Sequence, residues 1–178
     1  MKLWREWWQG NKVRIKKIAV TAFNGGEVSQ ERRRASDLWR QGIKSEALGH
    51  LDAAEHFYRN ATKIDPTAMG PFVSFGIMLY QKRSDFEGAL VSFRRALGRD
   101  AGLGDEIIER LCYYHIGRIY QFGLDFDRSR AALLKAIHLD PNYSDAWYAL
   151  GKNLYEEALL DSGDIEQRRM QLVEARDT

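Results

Sequence analysis

Four glycines, Gly42, Gly76, Gly117 and Gly151, recur at spacings of 34, 41 and 34 residues, each directly after Gln, Phe, Ile or Leu. A period near 34 residues marks a helical repeat array in which every unit is a helix–turn–helix pair. A unit of that size cannot bury its apolar face alone, so neighbouring units stack and share one continuous core. Such arrays are interaction surfaces rather than reaction vessels, and the question the chain poses is what it holds.

A second pattern follows each of the first three glycines. Ala54, Tyr58 and Ala61 recur as Ala89, Phe93 and Ala96, and again as Ser129, Leu133 and Ala136. Steps of four and three residues put each trio on one helical face. The small residues allow close helix approach and the large one fills the gap beside them. Asp65-Pro66 and Asp140-Pro141 then stop two of the units, because a residue before proline is driven out of the α region. With these residues in register, the chain resembles the tetratricopeptide repeat family over about residues 35–160. Units match at 35–68, 69–102 and 110–143, and a partial unit over 144–160 opens with Trp147, Leu150 and Gly151. The resemblance implies an all-α, right-handed α-solenoid of helix–turn–helix repeats.

The departures from the pattern carry their own expectations. The second unit has Ala101 where the others close with proline, among Gly98, Gly102 and Gly104. Of the seven extra residues in the 41-residue step, one is expected in the turn at Arg83–Phe86. About six lie between Gly102 and Arg110, with Asp105–Glu109 as an extra turn on the next helix. Ser29 is the expected N-cap of a first helix that takes in Glu27–Arg34. After Asp161-Ser162-Gly163-Asp164 the segment 161–178 is read as a capping helix over Ile165–Ala175 and a tail, since a terminal repeat needs a soluble outer face.

Length and composition fit this reading. The chain has 178 residues, 44% of them apolar and 29% charged, and a formal net charge of +2. That balance suits one soluble domain and lacks a global nucleic-acid signature. The single Cys112 excludes an internal disulfide and fits a reducing compartment, cytoplasmic or inside an organelle. It sits among Tyr113, Tyr114 and Ile116 and is read as a buried structural thiol. His50, His56, His115 and His138 fall in different elements and make no two-histidine metal motif, and Gly98–Gly104 lacks the Lys-Ser/Thr ending of a phosphate loop. No catalytic residue, metal or cofactor is expected. A binder is.

In the resembled family the first helix of each unit lines the concave groove. Carried onto this sequence, the groove positions are Trp39 and Ile43, then Val73, Ile77 and Tyr80, then Tyr114 and Arg118, then Tyr148, Lys152 and Tyr155. Tyr and Arg combine large contact area with a polar tip, which suits anchoring a peptide. The implied ligand is a polypeptide segment with apolar anchors and a carboxylate. Some members clamp acidic chaperone tails with Lys and Asn where Trp39 and Ile43 stand here, which disfavours that ligand. The expected function is a non-enzymatic adaptor or scaffold, an assembly factor or structural subunit. The alternative is an RNA-associated repeat protein, which needs basic residues recurring along the groove; Arg118 and Lys152 supply them and Trp39, Ile43 and Ile77 do not.

Residues 1–34 precede the repeats as a basic arm. Trp4, Trp7 and Trp8 share one helical side, and Lys2, Arg5, Lys12, Arg14, Lys16 and Lys17 against Glu6 give residues 1–26 a net +5. Tryptophan beside Lys and Arg is the composition of an interfacial segment, and no stretch is long enough to span a bilayer. Three roles stay open: docking to a membrane surface or larger complex, folding back on the array, or organelle targeting.

Overall fold

The computed structural model describes residues 29–98 and 106–161, which form helices joined by short turns. The chain divides into two compact units, Met1–Gly70 and Pro71–Thr178.

The first unit holds α1 (Gln30–Ala47) and α2 (Leu51–Ile64). Ser29 caps α1 as its sequence predicts, its Oγ accepting from the Arg32 amide at 3.2 Å. The hairpin turns on Gly49, whose φ of +81° is the left-handed region open to glycine. Gly42 is where the two helices meet. A Cβ there would lie 2.5 Å from Cε1 of Tyr58, so the ring sits directly on the α1 backbone. Tyr58, Ala54 and Ala61 are fully buried. The Tyr58 hydroxyl still has a polar partner, donating to Glu46 Oε2 at 2.7 Å. Asp65 ends α2, accepts from the Thr67 amide at 2.9 Å and pairs with Arg32 at 3.4 Å.

The second unit contains most of α3 (Met69–Met78), with α4 (Phe86–Leu97), α5 (Glu106–Phe122), α6 (Phe126–Leu139) and α7 (Ser144–Asp161). The hairpin contact repeats. A Cβ on Gly76 would be 2.8 Å from Phe93 Cε1, and one on Gly117 would be 2.7 Å from Leu133 Cγ. Asp85 and Asp125 cap α4 and α6 by accepting from the Gly88 amide at 2.8 Å and the Arg128 amide at 3.1 Å. α6 packs against α5 and α7. Their shared core joins Tyr114, Leu133, Ile137, Tyr143 and Leu150, and Asn153 of α7 donates to the Phe126 carbonyl at 3.2 Å. Cys112 is fully buried, and burial, with Glu109 nearby, raises its thiol pKa.

The structure relocates one expected insertion. The extra residue is not in the turn at Arg83–Phe86 but one step earlier, as a π-helical turn over Leu79–Arg83. The Asp85 amide reaches back six residues to the Leu79 carbonyl at 3.0 Å. At the same place the Asp125 amide reaches back only five, to Tyr120 at 2.9 Å, and His50 does likewise to Ser45. A π turn absorbs a single residue without disturbing the helix on either side. The turn residue itself stays left-handed in all three hairpins, as Gly49, Ser84 (φ +54°) and Leu124 (φ +60°). The extra helical turn expected before Arg110 is present from Glu106: α5 begins eleven residues before Gly117, where α3 begins seven before Gly76. The expected capping helix over 165–175 lies outside the described residues.

Candidate partner-binding surface

α5 positions the centre of the surface because Tyr114 and Arg118, four residues apart, share one side of the helix and His115 stands on the adjacent side. His115 points inward and is fully buried. Its ring stacks on Phe93 at 5.4 Å with 5° between planes, and meets Tyr80 at 5.9 Å and Tyr114 at 5.1 Å. Neither ring nitrogen has a hydrogen-bond partner. Burial, with Arg118 adding to it, lowers the His115 pKa to about 3, so the ring is neutral. Tyr114 is also buried and packs on Tyr143 at 5.3 Å. Its hydroxyl accepts from Arg118 Nη1 at 3.0 Å, which orients the guanidinium.

A polar band continues from α5 onto α7. Gln121 Nε2 donates to Glu156 Oε2 at 3.1 Å, and Lys152 pairs with Glu156 at 3.3 Å. Beside this band α7 is open. Tyr148 is 73% and Tyr155 65% exposed, with the exposed Lys152 between them at i, i+4, i+7 spacing on one helical side.

Of the positions carried over from the family, the second unit thus brings Tyr80, Tyr114 and Arg118 together around His115, and Glu156, which pairs with Lys152, also interacts electrostatically with Arg118. Val73 and Ile77 are buried. In the first unit, Trp39 is half-buried with its indole over Gly70, where a Cβ would be 2.5 Å from Cη2, and Ile43 is half-buried. Trp4, Trp7, Trp8, Lys12, Arg14, Lys16 and Lys17 lie outside the described residues. Sequence reading passed over Gln121, although it stands four residues after its glycine, as Tyr80 and Tyr155 do. His115 had no such signal. Among the described residues no group of three or more His, Cys, Asp or Glu is placed to hold a metal. No described helix is long and apolar enough to cross a membrane.

The tetratricopeptide repeat family model matches residues 45–67 and 112–143. No curated protein matches the chain at the sequence level. Solved structures do. The first tetratricopeptide repeat domain of Spaghetti (RPAP3), bound to the HSP90 peptide SRMEEVD, is 19% identical, with a TM-score of 0.64 over 75% of this chain and 99% of that one. The first such domain of human RPAP3 is 17% identical, with a TM-score of 0.64 over 74% of this chain and 98% of that one. The Arabidopsis OM64 domain is 13% identical, with a TM-score of 0.63 over 71% of this chain and 98% of that one. Both family-model matches fall within the repeats marked by the glycine period, and the described hairpins carry the small–large–small contact expected there: residues 45–67 and 112–143 match tetratricopeptide repeats, and the solved structures share the fold.

Proposed function

We propose that this protein is a non-enzymatic adaptor that holds a partner polypeptide on the first-helix surfaces of its repeats, as an assembly factor or structural subunit. The observation that carries the reading is the row Tyr148, Lys152 and Tyr155. It is an open aromatic–cationic side of α7, next to an Arg118 held in place by Tyr114. Aromatic and cationic side chains of this kind dominate interface energetics, because they desolvate a large area and still satisfy a polar group on the partner. A peptide seated on the structurally similar Spaghetti domain supports the class of ligand. The ligand proposed here has apolar anchors for the two tyrosines and a carboxylate for Lys152 and Arg118. In the first unit, Trp39 and Ile43 are proposed to contact the partner in the same way; Val73, Ile77 and Tyr80 are proposed to shape the wall behind it.

Selection of a random peptide-display library on the full chain tests this. Carboxylate-bearing aromatic or aliphatic peptides should be enriched. Their affinity should fall about tenfold or more, roughly 1.4 kcal/mol, on Lys152→Gln combined with Tyr155→Ala, both exposed, with little change in melting temperature. Enriched peptides that bind the double variant as well as the wild type would place the ligand elsewhere.

The arm, with Trp4, Trp7, Trp8, Lys12, Arg14, Lys16 and Lys17, is proposed to dock to a membrane surface or larger complex. Its support is the composition of the segment, with indoles beside cations. Wild-type protein is expected to co-sediment with anionic liposomes, and replacing the three tryptophans with Ala should release it. Equal sedimentation of the two proteins, or none of the wild type, rules the membrane out.

A further inference from the structure

The two cations of the proposed peptide site already share a carboxylate. Arg118 and Lys152 each stand one residue after the glycine of their repeat, where the first two repeats have Ile43 and Ile77. Glu156 stands five residues after Gly151. The equivalent positions after the three earlier glycines are Ala47, Gln81 and Phe122, none of them acidic. The acid therefore enters the row where its cations do.

A Lys–Glu pair four residues apart is ordinary on a helix surface and needs nothing beyond its own helix. Glu156 reaches further. Its Oε1 lies 3.3 Å from Lys152 Nζ, while its Oε2 accepts at 3.1 Å from Nε2 of Gln121 on α5. Gln121 is buried, so this oxygen is held from a fixed side. The carboxylate also interacts electrostatically with Arg118, whose guanidinium Tyr114 orients. Glu156 and Arg118 are both half-buried, where water and salt screen a charge less than on an open surface. Two cations and one anion leave this group a net of one positive charge (two minus one).

We propose that Glu156 is an internal competitor for Arg118 and Lys152 and thereby sets the charge of the ligand: the site takes a peptide with a single carboxylate and rejects an acidic run. The inference rests on the adaptor reading above and specifies its ligand. A first ligand carboxylate meets the one net positive charge and neutralises it. A second meets Glu156 with no cation left to offset it, and like charges brought together at an interface cost affinity. The hydrogen bond from Gln121 holds Glu156 against swinging away to relieve that repulsion.

The random peptide-display library is selected on full-length wild type and Glu156→Gln in parallel. Gln keeps the size of the side chain and can still accept from Gln121, so the variant should melt within about 2 °C of wild type. The peptide most enriched on each protein is labelled and titrated by fluorescence anisotropy, beside a copy in which Asp and Glu become Asn and Gln. Glu156→Gln is expected to bind the carboxylate peptides roughly fivefold more tightly than wild type, the upper end for a partly exposed ion pair. It should bind the amide copies no more tightly, and its enriched peptides should carry more acidic residues. Glu157→Gln removes an equal charge from the next residue, which pairs with Arg130, and should match wild type. Equal or weaker binding of the carboxylate peptides by Glu156→Gln overturns the proposal and leaves the adaptor reading standing. So does equal acidity of the two enriched sets, or the same gain for the amide copies or from Glu157→Gln. A melting temperature well below wild type would make Glu156 a structural tie between α5 and α7 and overturn it equally. Enrichment on neither protein would end the adaptor reading itself, and this inference with it.

Discussion

Gly117→Leu is expected to abolish cooperative folding of the second unit. A Cβ at this position would already sit 2.7 Å from Leu133 Cγ, 2.9 Å from its Cδ2 and 3.2 Å from the Ser129 backbone oxygen. Leu133 is fully buried and cannot swing to solvent, and the Ser129 contact is main chain, so relief requires α5 and α6 to separate. Even Gly117→Ala should cost about 1–3 kcal/mol through overpacking. Three further carbons have no space, and the cost then approaches the whole stability of a domain, about 5–15 kcal/mol. Thermal melts of the Ala variant are the cleaner measurement, at roughly 2–4 °C for each kcal/mol in a chain of this size. Gly123→Ala is the control, since its nearest neighbour would be a carbonyl at an ordinary 3.6 Å. Equal melting of the two Ala variants would refute the packing account.

Acid should destabilise the second unit through His115 in a window set by its two pKa values. In the unfolded chain the ring takes up a proton near its ordinary 6.5; in the folded protein burial lowers that pKa to about 3. Between those values the unfolded state binds more protons, so stability falls as pH drops from about 6.5 towards 3 and is unaffected above it. At about 1.4 kcal/mol per pH unit, the loss from pH 7 to pH 4 is about 3 kcal/mol. The groups around the ring are Tyr80, Phe93, Tyr114 and Arg118, and none supplies a carboxylate to compensate an imidazolium. His115→Phe keeps a ring to stack on Phe93 and removes both unpartnered nitrogens. Urea titrations at pH 7 and pH 4 should show the wild type losing about 3 kcal/mol more than His115→Phe over that interval. Parallel pH profiles would mean that His115 gains a partner or solvent when protonated.

The first of these predictions rests on contacts legible in the residues, and the second does not. The glycine period and the small–large–small trios identified which positions touch, because close helix approach demands a missing Cβ opposite a large side chain. The three contacts at Gly42, Gly76 and Gly117 follow from that demand. Ser29 and the two Asp-Pro stops were readable for the same kind of local reason: caps and pre-proline residues act within a few positions of themselves. The one-residue insertion was readable as a count but not as a place, since a π turn and a longer loop have the same length in sequence.

Exposure was not readable. Tyr114 and Tyr148 occupy equivalent positions, three residues before their glycines, yet one is 8% exposed and the other 73%. Helical periodicity assigns a residue to a side of its helix, whereas burial depends on whether another helix covers that side. α5 has α7 against it, and α7 has no described helix beyond it. The neutral His115 likewise owes its state to Tyr80, Phe93 and Tyr114 converging from three helices. The sequence by itself therefore determined the repeat, its contacts and its caps, all set by spacing and local backbone chemistry. Only the tertiary structure decided which aromatics are core and which are surface, and that Gly151, built like its three counterparts, is left uncovered by the described helices.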